Sequence, residues 1–283
     1  MHDDLGGLLL RKKRTGKSPP WWQRGAPKAR TFEEAVDPVI DATPAEGRAE
    51  LAAIWQFRAG LELRVASTFS SLSVELLETG ATQAVYEVVS QAVRDEVFHA
   101  QISAELAARY RGGPPVWPDP EPNNYPTFRG SKGALHATLY IITECCINET
   151  LACSILEASI AQAKSPLVKA ALTTILSDEI DHARVGWAHL ASPWVTPELR
   201  VELPSFLQWL HSSNHHDLLG DDAPLPREKY PTHGMLSRRR AREITYATLV
   251  DVILPGYRRA GIDPSATEEW ARTAFKQELA AAV

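Results

Sequence analysis

Cysteine is scarce in this chain and poorly placed for cross-linking. Cys145, Cys146 and Cys153 crowd one segment, their number is odd, and no C-x-x-C occurs, so no disulfide framework is implied. Long apolar runs are missing too. The three leucines Leu8–Leu10 are too few for a signal peptide, and no apolar stretch reads as long enough to span a membrane. A reducing cytoplasm is the expected location. No glycine-rich nicotinamide or flavin fingerprint is present. A large positive charge is also lacking. The net charge of -5 and pI near 6.0 argue against nucleic acid as the main partner. The basic clusters Arg11-Lys12-Lys13-Arg14 and Arg238-Arg239-Arg240 read as solvated charge.

What is present is a large helical chain. Its 283 residues are 44% hydrophobic, enough for a sizeable core in one large domain or two small ones. Residues 1–42, rich in Gly, Pro and charge with Trp21 and Trp22 as possible anchors, are expected to form a partly disordered N-terminal arm. Thr43-Pro44-Ala45-Glu46 reads as a capping box opening a helix that runs to Glu78. A second is expected from about Ala81 to Arg111, stopped by Gly112-Gly113-Pro114. A third is expected from Gly133 to Lys164, and a fourth from Ser165-Pro166 to Ala191. Each is about 45 Å long or somewhat less at 1.5 Å per residue.

The connections predict how these helices run. One and two, and three and four, are joined so tightly that each pair must be antiparallel. Between two and three lie Pro114, Pro115, Pro118, Pro120, Pro122 and Pro126. Extended proline-rich chain covers about 3 Å per residue, enough to cross the length of a bundle. The expectation is an all-α domain over 43–191: a four-helix bundle with one long crossover between helices two and three, the ferritin-like arrangement. Residues 192–283 should add accessory helices, one opened at Thr196-Pro197, one over about Ser237–Leu254 and one capped by Ser265 and Glu268.

Two segments carry the chemistry. Helix two contains Asp95-Glu96-Val97-Phe98-His99, and helix four contains Asp178-Glu179-Ile180-Asp181-His182. Both read D-E-x-x-H, as an internal duplication would. Glu and His three apart share one helix face, so each pair can offer a carboxylate and an imidazole to a metal. One such motif is weak evidence; two on paired helices are far more specific. Glu and His on an exposed face would be mere decoration, but Phe98 and its apolar neighbours oppose that.

A di-metal site also needs a Glu from each remaining helix. Helix one offers Glu62. Helix three offers Glu144 or Glu149, and helical rise separates them. Glu62 and Glu96 lie about 26 and 23 Å from their shared turn. Glu149 and Glu179 lie about 23 and 20 Å from theirs, whereas Glu144 lies about 30 Å away. The run after Glu62 (Leu-Arg-Val-Ala-Ser) also resembles that after Glu149 (Thr-Leu-Ala-Cys-Ser). Glu149 is therefore preferred, with Glu144 in reserve. Four buried carboxylates would be very costly without cations, and oxygen and nitrogen donors suit iron or manganese. Asp95 and Asp178 can each accept the outer ring N–H of a ligand histidine and so fix its tautomer.

On these motifs the segment 44–191 resembles the ferritin-like diiron carboxylate superfamily. Within it the spacing is similar to that of the bacterial arylamine N-oxygenases, typified by p-aminobenzoate N-oxygenase. The resemblance implies that Glu62 and His99 serve one iron, that Glu149 and His182 serve the other, and that Glu96 and Glu179 bridge. It further implies a catalytic role for these six residues, an oxidised resting pair, two-electron reduction and reaction with O2. The arylamine enzymes carry one more histidine, a turn before the last E-x-x-H glutamate; here that position is Ile175. The expected site is the plain six-ligand type, open to hydroxylation, desaturation or another oxidation.

The leading expectation is therefore an O2-dependent oxidoreductase. It would hold two irons and take a small organic substrate and electrons from a separate donor protein or reductant, with a homodimer as the assembly that the commonness of symmetric pairs suggests. Rival classes are a ferroxidase or iron-storage subunit, a manganese catalase, a helical binding module, and an oxygenase acting on tRNA. Among other residues, Tyr86, Tyr140 and His189 read as core, the cysteines as small hydrophobes, Arg184 as an outward ion-pair partner, and His215, His216 and Asp217 as a surface loop.

Overall fold

The computed structural model describes residues 35–119, 128, 130–214 and 229–276. Among the described residues the regular structure is entirely helical. Arg11–Arg14, Trp21, Trp22, Pro120, Pro122, Pro126 and the His215-His216-Asp217 loop lie outside them. Four long rods dominate. They are α2 (Ala45–Glu78), α3 (Gln83–Arg111), a composite of α4 (Gly133–Ile141), a π-helical segment (Ile142–Glu149) and α5 (Thr150–Gln162), and α6 (Pro166–Ala191). α2 packs on α3, α3 on α6, α6 on the composite rod, and the composite rod's α4 back on α2. The four rods thus close a ring.

Two apolar clusters fill the ring, one towards each end. Leu51, Ile54, Trp55, Ile102, Leu106, Tyr110, Leu156, Leu167 and Ile175 belong to one. Phe69, Leu72, Leu76, Val85, Val89, Tyr140, Ile147, Val185 and Leu190 belong to the other. These memberships give the chain direction. α3 and the composite rod both run from the second cluster to the first, so they are parallel and a lengthwise connection must join them. Its described part follows that course: Gln56 Nε2 of α2 donates to Val116 O at 3.1 Å, and Phe128 and Leu135 sit in the far cluster.

The caps depart from expectation in three places. Thr43 does not cap α2. Its hydroxyl donates to Val39 O and lies 3.2 Å from His233 Nε2, and Pro44 occupies the cap position with no side-chain bond. Ser265 does not cap the last helix either; Asp263 accepts from its N–H and hydroxyl instead. The end of the expected arm is ordered: Asp37 caps a short helix α1 (Pro38–Asp41), and Ile40 is fully buried. Ser165 and Thr196 cap as read, bonding Val168 N and Leu199 N, and Gly112 ends α3 in the left-handed region.

The apolar rod Gly133–Gln162 corrects another expectation, since it is long and apolar enough to cross a membrane by length and composition. Two thirds of its most apolar window is buried inside the fold, and it carries Glu144 and Glu149 into the interior. Its apolar character is accounted for by its place in the ring.

After α6 come α7 (Pro197–Glu202), α8 (Pro204–Asn214), α9 (Arg238–Thr248), a second π segment (Leu249–Ile253), α10 (Leu254–Arg259) and α11 (Ser265–Ala274). α8 packs on the first π segment and α9 on α5. Leu203, Leu207, Leu210, Leu249, Ile253 and Tyr257 share one cluster with the ring, so this layer is continuous with the core.

Candidate metal centre

The site lies at mid-height, between the two apolar clusters. Each rod contributes at one level: Glu62 from α2, Glu96 and His99 from α3, Glu149 from the end of the π segment, and Glu179 and His182 from α6. All six are buried, at 0–7% exposure, an arrangement costly for carboxylates unless cations accompany them.

Their donor atoms form two groups able to hold a cation, each drawn within 4.8 Å. One is Glu62, Glu96, His99 and Glu179; the other is Glu96, Glu149, Glu179 and His182. Glu96 and Glu179 belong to both. Glu96 presents Oε2 to His99 Nδ1 at 3.4 Å and Oε1 to His182 Nδ1 at 3.1 Å. Glu179 presents Oε1 to His99 Nδ1 at 3.3 Å and Oε2 to His182 Nδ1 at 2.8 Å. Each carboxylate therefore spans the two positions with one oxygen on either side.

The outer ring nitrogens face aspartates on opposite helices. His99 Nε2 lies 3.2 Å from Asp178 Oδ2, and His182 Nε2 lies 3.6 Å from Asp95 Oδ2. With each aspartate receiving Nε2–H, Nδ1 is left with its lone pair towards the shared carboxylates, as ligation requires. Gln91 Nε2 in turn donates to Asp95 at 2.9 Å, and the Phe69 ring packs 5.4 Å from that of His182.

The electrostatics express one demand, for positive charge. Burial pushes the Glu62 carboxyl up to about 7 although Arg58 opposes it. Burial, then the Glu179 and Glu96 charges, pushes Glu149 well above the usual carboxylate range. Burial alone would depress both histidines, but the carboxylates around them reverse it and hold them well above their ordinary value. Burial would raise Glu179, but the charges and hydrogen bonds of His99 and His182 together overcome it and hold the carboxyl below its ordinary range. Meanwhile Glu96 Oε1 and Oε2 are both buried and make no well-directed hydrogen bond beyond their contacts with the two Nδ1 atoms. Two divalent cations would meet all of this together, balancing four carboxylates and giving Glu96 the directed partners it lacks. The donor set fits such a pair.

The remaining residues sort cleanly. Glu144 is buried but joins neither group; Asn148 donates to it at 3.2 Å, and burial raises it to about 7. Ile175 is fully buried among apolar neighbours, so no seventh ligand stands there. The Tyr140 hydroxyl donates to Thr68 O. His189 is 1% exposed against Trp194, and Arg184 pairs with Asp181 at 2.7 Å. The cysteines are free thiols, with Cys145 and Cys146 buried.

Sequence reasoning missed two features. One is Arg58, whose Nε donates to Glu62 Oε1 at 2.7 Å; its position four residues before Glu62 was a legible signal. The other is the π segment ending at Glu149, for which the sequence carried no signal.

Fold and site together define an all-α protein whose buried glutamates and histidines are placed to bind metal. Compared with known proteins, the chain matches no family model, no curated protein and no solved structure.

Proposed function

We propose that this chain is an O2-activating, non-haem diiron oxidoreductase of the ferritin-like class, acting on a small organic substrate with electrons from a separate donor. The observation that carries the reading is the pair of shared carboxylates. Glu96 and Glu179 each set one oxygen towards each histidine, the pattern a bridged pair of ions needs and a single ion does not. The parallel run of α3 and the composite rod supports the ferritin-like class.

Glu62 and His99 would hold one iron and Glu149 and His182 the other, with Glu96 and Glu179 between them. An iron pair held there would supply the two electrons that O2 needs, passing from ferrous to ferric. The protein's own part is positional. Asp178 and Asp95 orient the imidazoles, and the two apolar clusters keep bulk water from both ends. The layer after α6 supports an oxidase acting on an organic molecule over a bare iron-oxidising bundle, because it packs on the π segment that carries Glu149.

The test is anaerobic loading of metal-free protein with Fe2+, followed by rapid mixing with O2 while recording the optical spectrum. About two irons per chain and a transient absorbing species, whose decay an organic substrate accelerates, are expected. Iron that leaves as mineral would favour a ferroxidase. Peroxide disproportionation with bound manganese would favour a catalase. A folded chain that takes up no metal would leave a helical binding module.

A further inference from the structure

The two halves of the site are not equivalent. α2 and the composite rod each supply one terminal carboxylate, Glu62 and Glu149, followed by similar residues. One turn before each, the halves part company. Four residues before Glu149 stands Cys145, a buried neutral thiol. Four residues before Glu62 stands Arg58, with its Nε on Glu62 Oε1 at 2.7 Å. The guanidinium is also steadied by the Trp55 ring, 5.6 Å from its carbon.

The two terminal carboxylates are buried alike, Glu62 at 7% and Glu149 at 5% exposure, so burial does not separate the halves. What separates them is the guanidinium, whose side chain is 29% exposed beside Glu62. One position thus has a terminal carboxylate already sharing an oxygen with a cation. The other has a terminal carboxylate flanked in the π segment by the neutral Cys145 thiol and by the buried Glu144 carboxyl, whose charge, when ionised, attracts a cation.

We propose that Arg58 makes the two metal positions unequal, so that the one formed by Glu149 and His182 fills first and the one formed by Glu62 and His99 fills second and more weakly. This inference rests on the two-metal reading above. Two effects act in the same direction. The guanidinium occupies Oε1 and draws electron density from Glu62, leaving it a poorer donor through Oε2. It also repels an incoming ion, and a divalent cation feels that charge twice as strongly as a proton does. Arg58 is accordingly a positioning residue that sets the order of loading. A weakly held ion beside Arg58 would be the one that exchanges or leaves first.

The experiment is an anaerobic titration of the full-length, metal-free protein with Co2+, followed by its visible ligand-field absorption and by calorimetry. The wild type should bind two ions in two resolved steps. Glu62→Ala should lose only the weak step, and Glu149→Ala only the tight one. Arg58→Ala should tighten the weak step by about tenfold or more, as expected for removing one nearby unit charge, and leave the tight step in place. Arg58→Gln should act likewise, since it can keep a hydrogen bond without the charge, whereas Arg58→Lys should preserve the gap between steps. Two indistinguishable steps in the wild type, a weak step that survives Glu62→Ala, or a gap unchanged in both Arg58→Ala and Arg58→Gln would overturn the assignment while leaving the metal pair intact. Uptake of no Co2+ or of one ion by the wild type would overturn the two-metal reading itself.

Discussion

At the scale of single residues, Glu96 is the most exacting. Both its oxygens are buried and make no well-directed hydrogen bond, their nearest polar neighbours being the Nδ1 atoms of His182 and His99 at 3.1 and 3.4 Å, and a buried group so poorly satisfied costs about 1–3 kcal/mol, more if charged. Glu96→Leu should therefore raise the melting temperature of chelator-treated protein and lower that of metal-loaded protein. Paired thermal melts check this reversal of sign; a loss of stability in both states would count against the site. His189 governs a different property. Burial depresses it to about 3, so it stays neutral in the fold while the unfolded chain takes up a proton near 6.5. Its contribution is unaffected above about pH 6.5 and is lost as pH falls from there towards 3. At about 1.4 kcal/mol per unit the loss reaches several kcal/mol. Denaturant unfolding at pH 7, 5 and 4 should show a shallower acid decline in His189→Leu than in the wild type. The identities of these residues were legible in the sequence. A role for Asp95 and Asp178 on ligand histidines was legible too, but which histidine each meets, and that Trp194 packs on His189, emerges only after helices have turned and packed.

At the scale of elements, the contact of α6 with the π segment sets the reach of Glu149. Gly186 permits it. A Cβ there would sit 2.6 Å from Cys145 Cβ, 2.8 Å from Cys146 Sγ and 3.1 Å from Cys146 N. The backbone among these neighbours cannot turn aside, so Gly186→Ala should destabilise by about 1–3 kcal/mol. It should also weaken metal uptake, because relieving the clash pushes Glu149 away from His182. Chemical denaturation and metal titration of this one variant check both effects. Helical rise brings Glu149 level with Glu179 for a local reason: Thr150–Gln162 is regular α-helix, so the ruler of 1.5 Å per residue applies up to that carboxylate, which shares a donor group with Glu179. The ruler does not apply at Glu144, inside the π segment. There the i→i+5 bonding changes the turn, and both glutamates become buried.

At the scale of the whole molecule, one carboxylate ties α1 to the ring. Asp37 accepts from Val39 N and Ile40 N of α1 and also from Ser165 Oγ and Leu167 N at the start of α6. It thereby caps two helices far apart in sequence. Asp37→Ala should cost about 2–4 kcal/mol at roughly 1 kcal/mol per bond while leaving metal stoichiometry at its wild-type value, which calorimetric melts and metal analysis can separate. The sequence by itself determined the helical class, the approximate spans of the four rods, the need for a lengthwise crossover and the six residues that the fold brings together as candidate ligands. Those follow from periodicity, connection length and rise, which are properties of a chain read along one axis. Only the tertiary structure decided that Asp95 and Asp178 serve histidines on opposite helices, that Arg58 burdens one terminal carboxylate, that Asp37 caps α6, and that residues 142–149 widen into a π-helix. Each of these depends on the rotation of one rod against another, which local propensity does not encode and which packing of the two apolar clusters fixes.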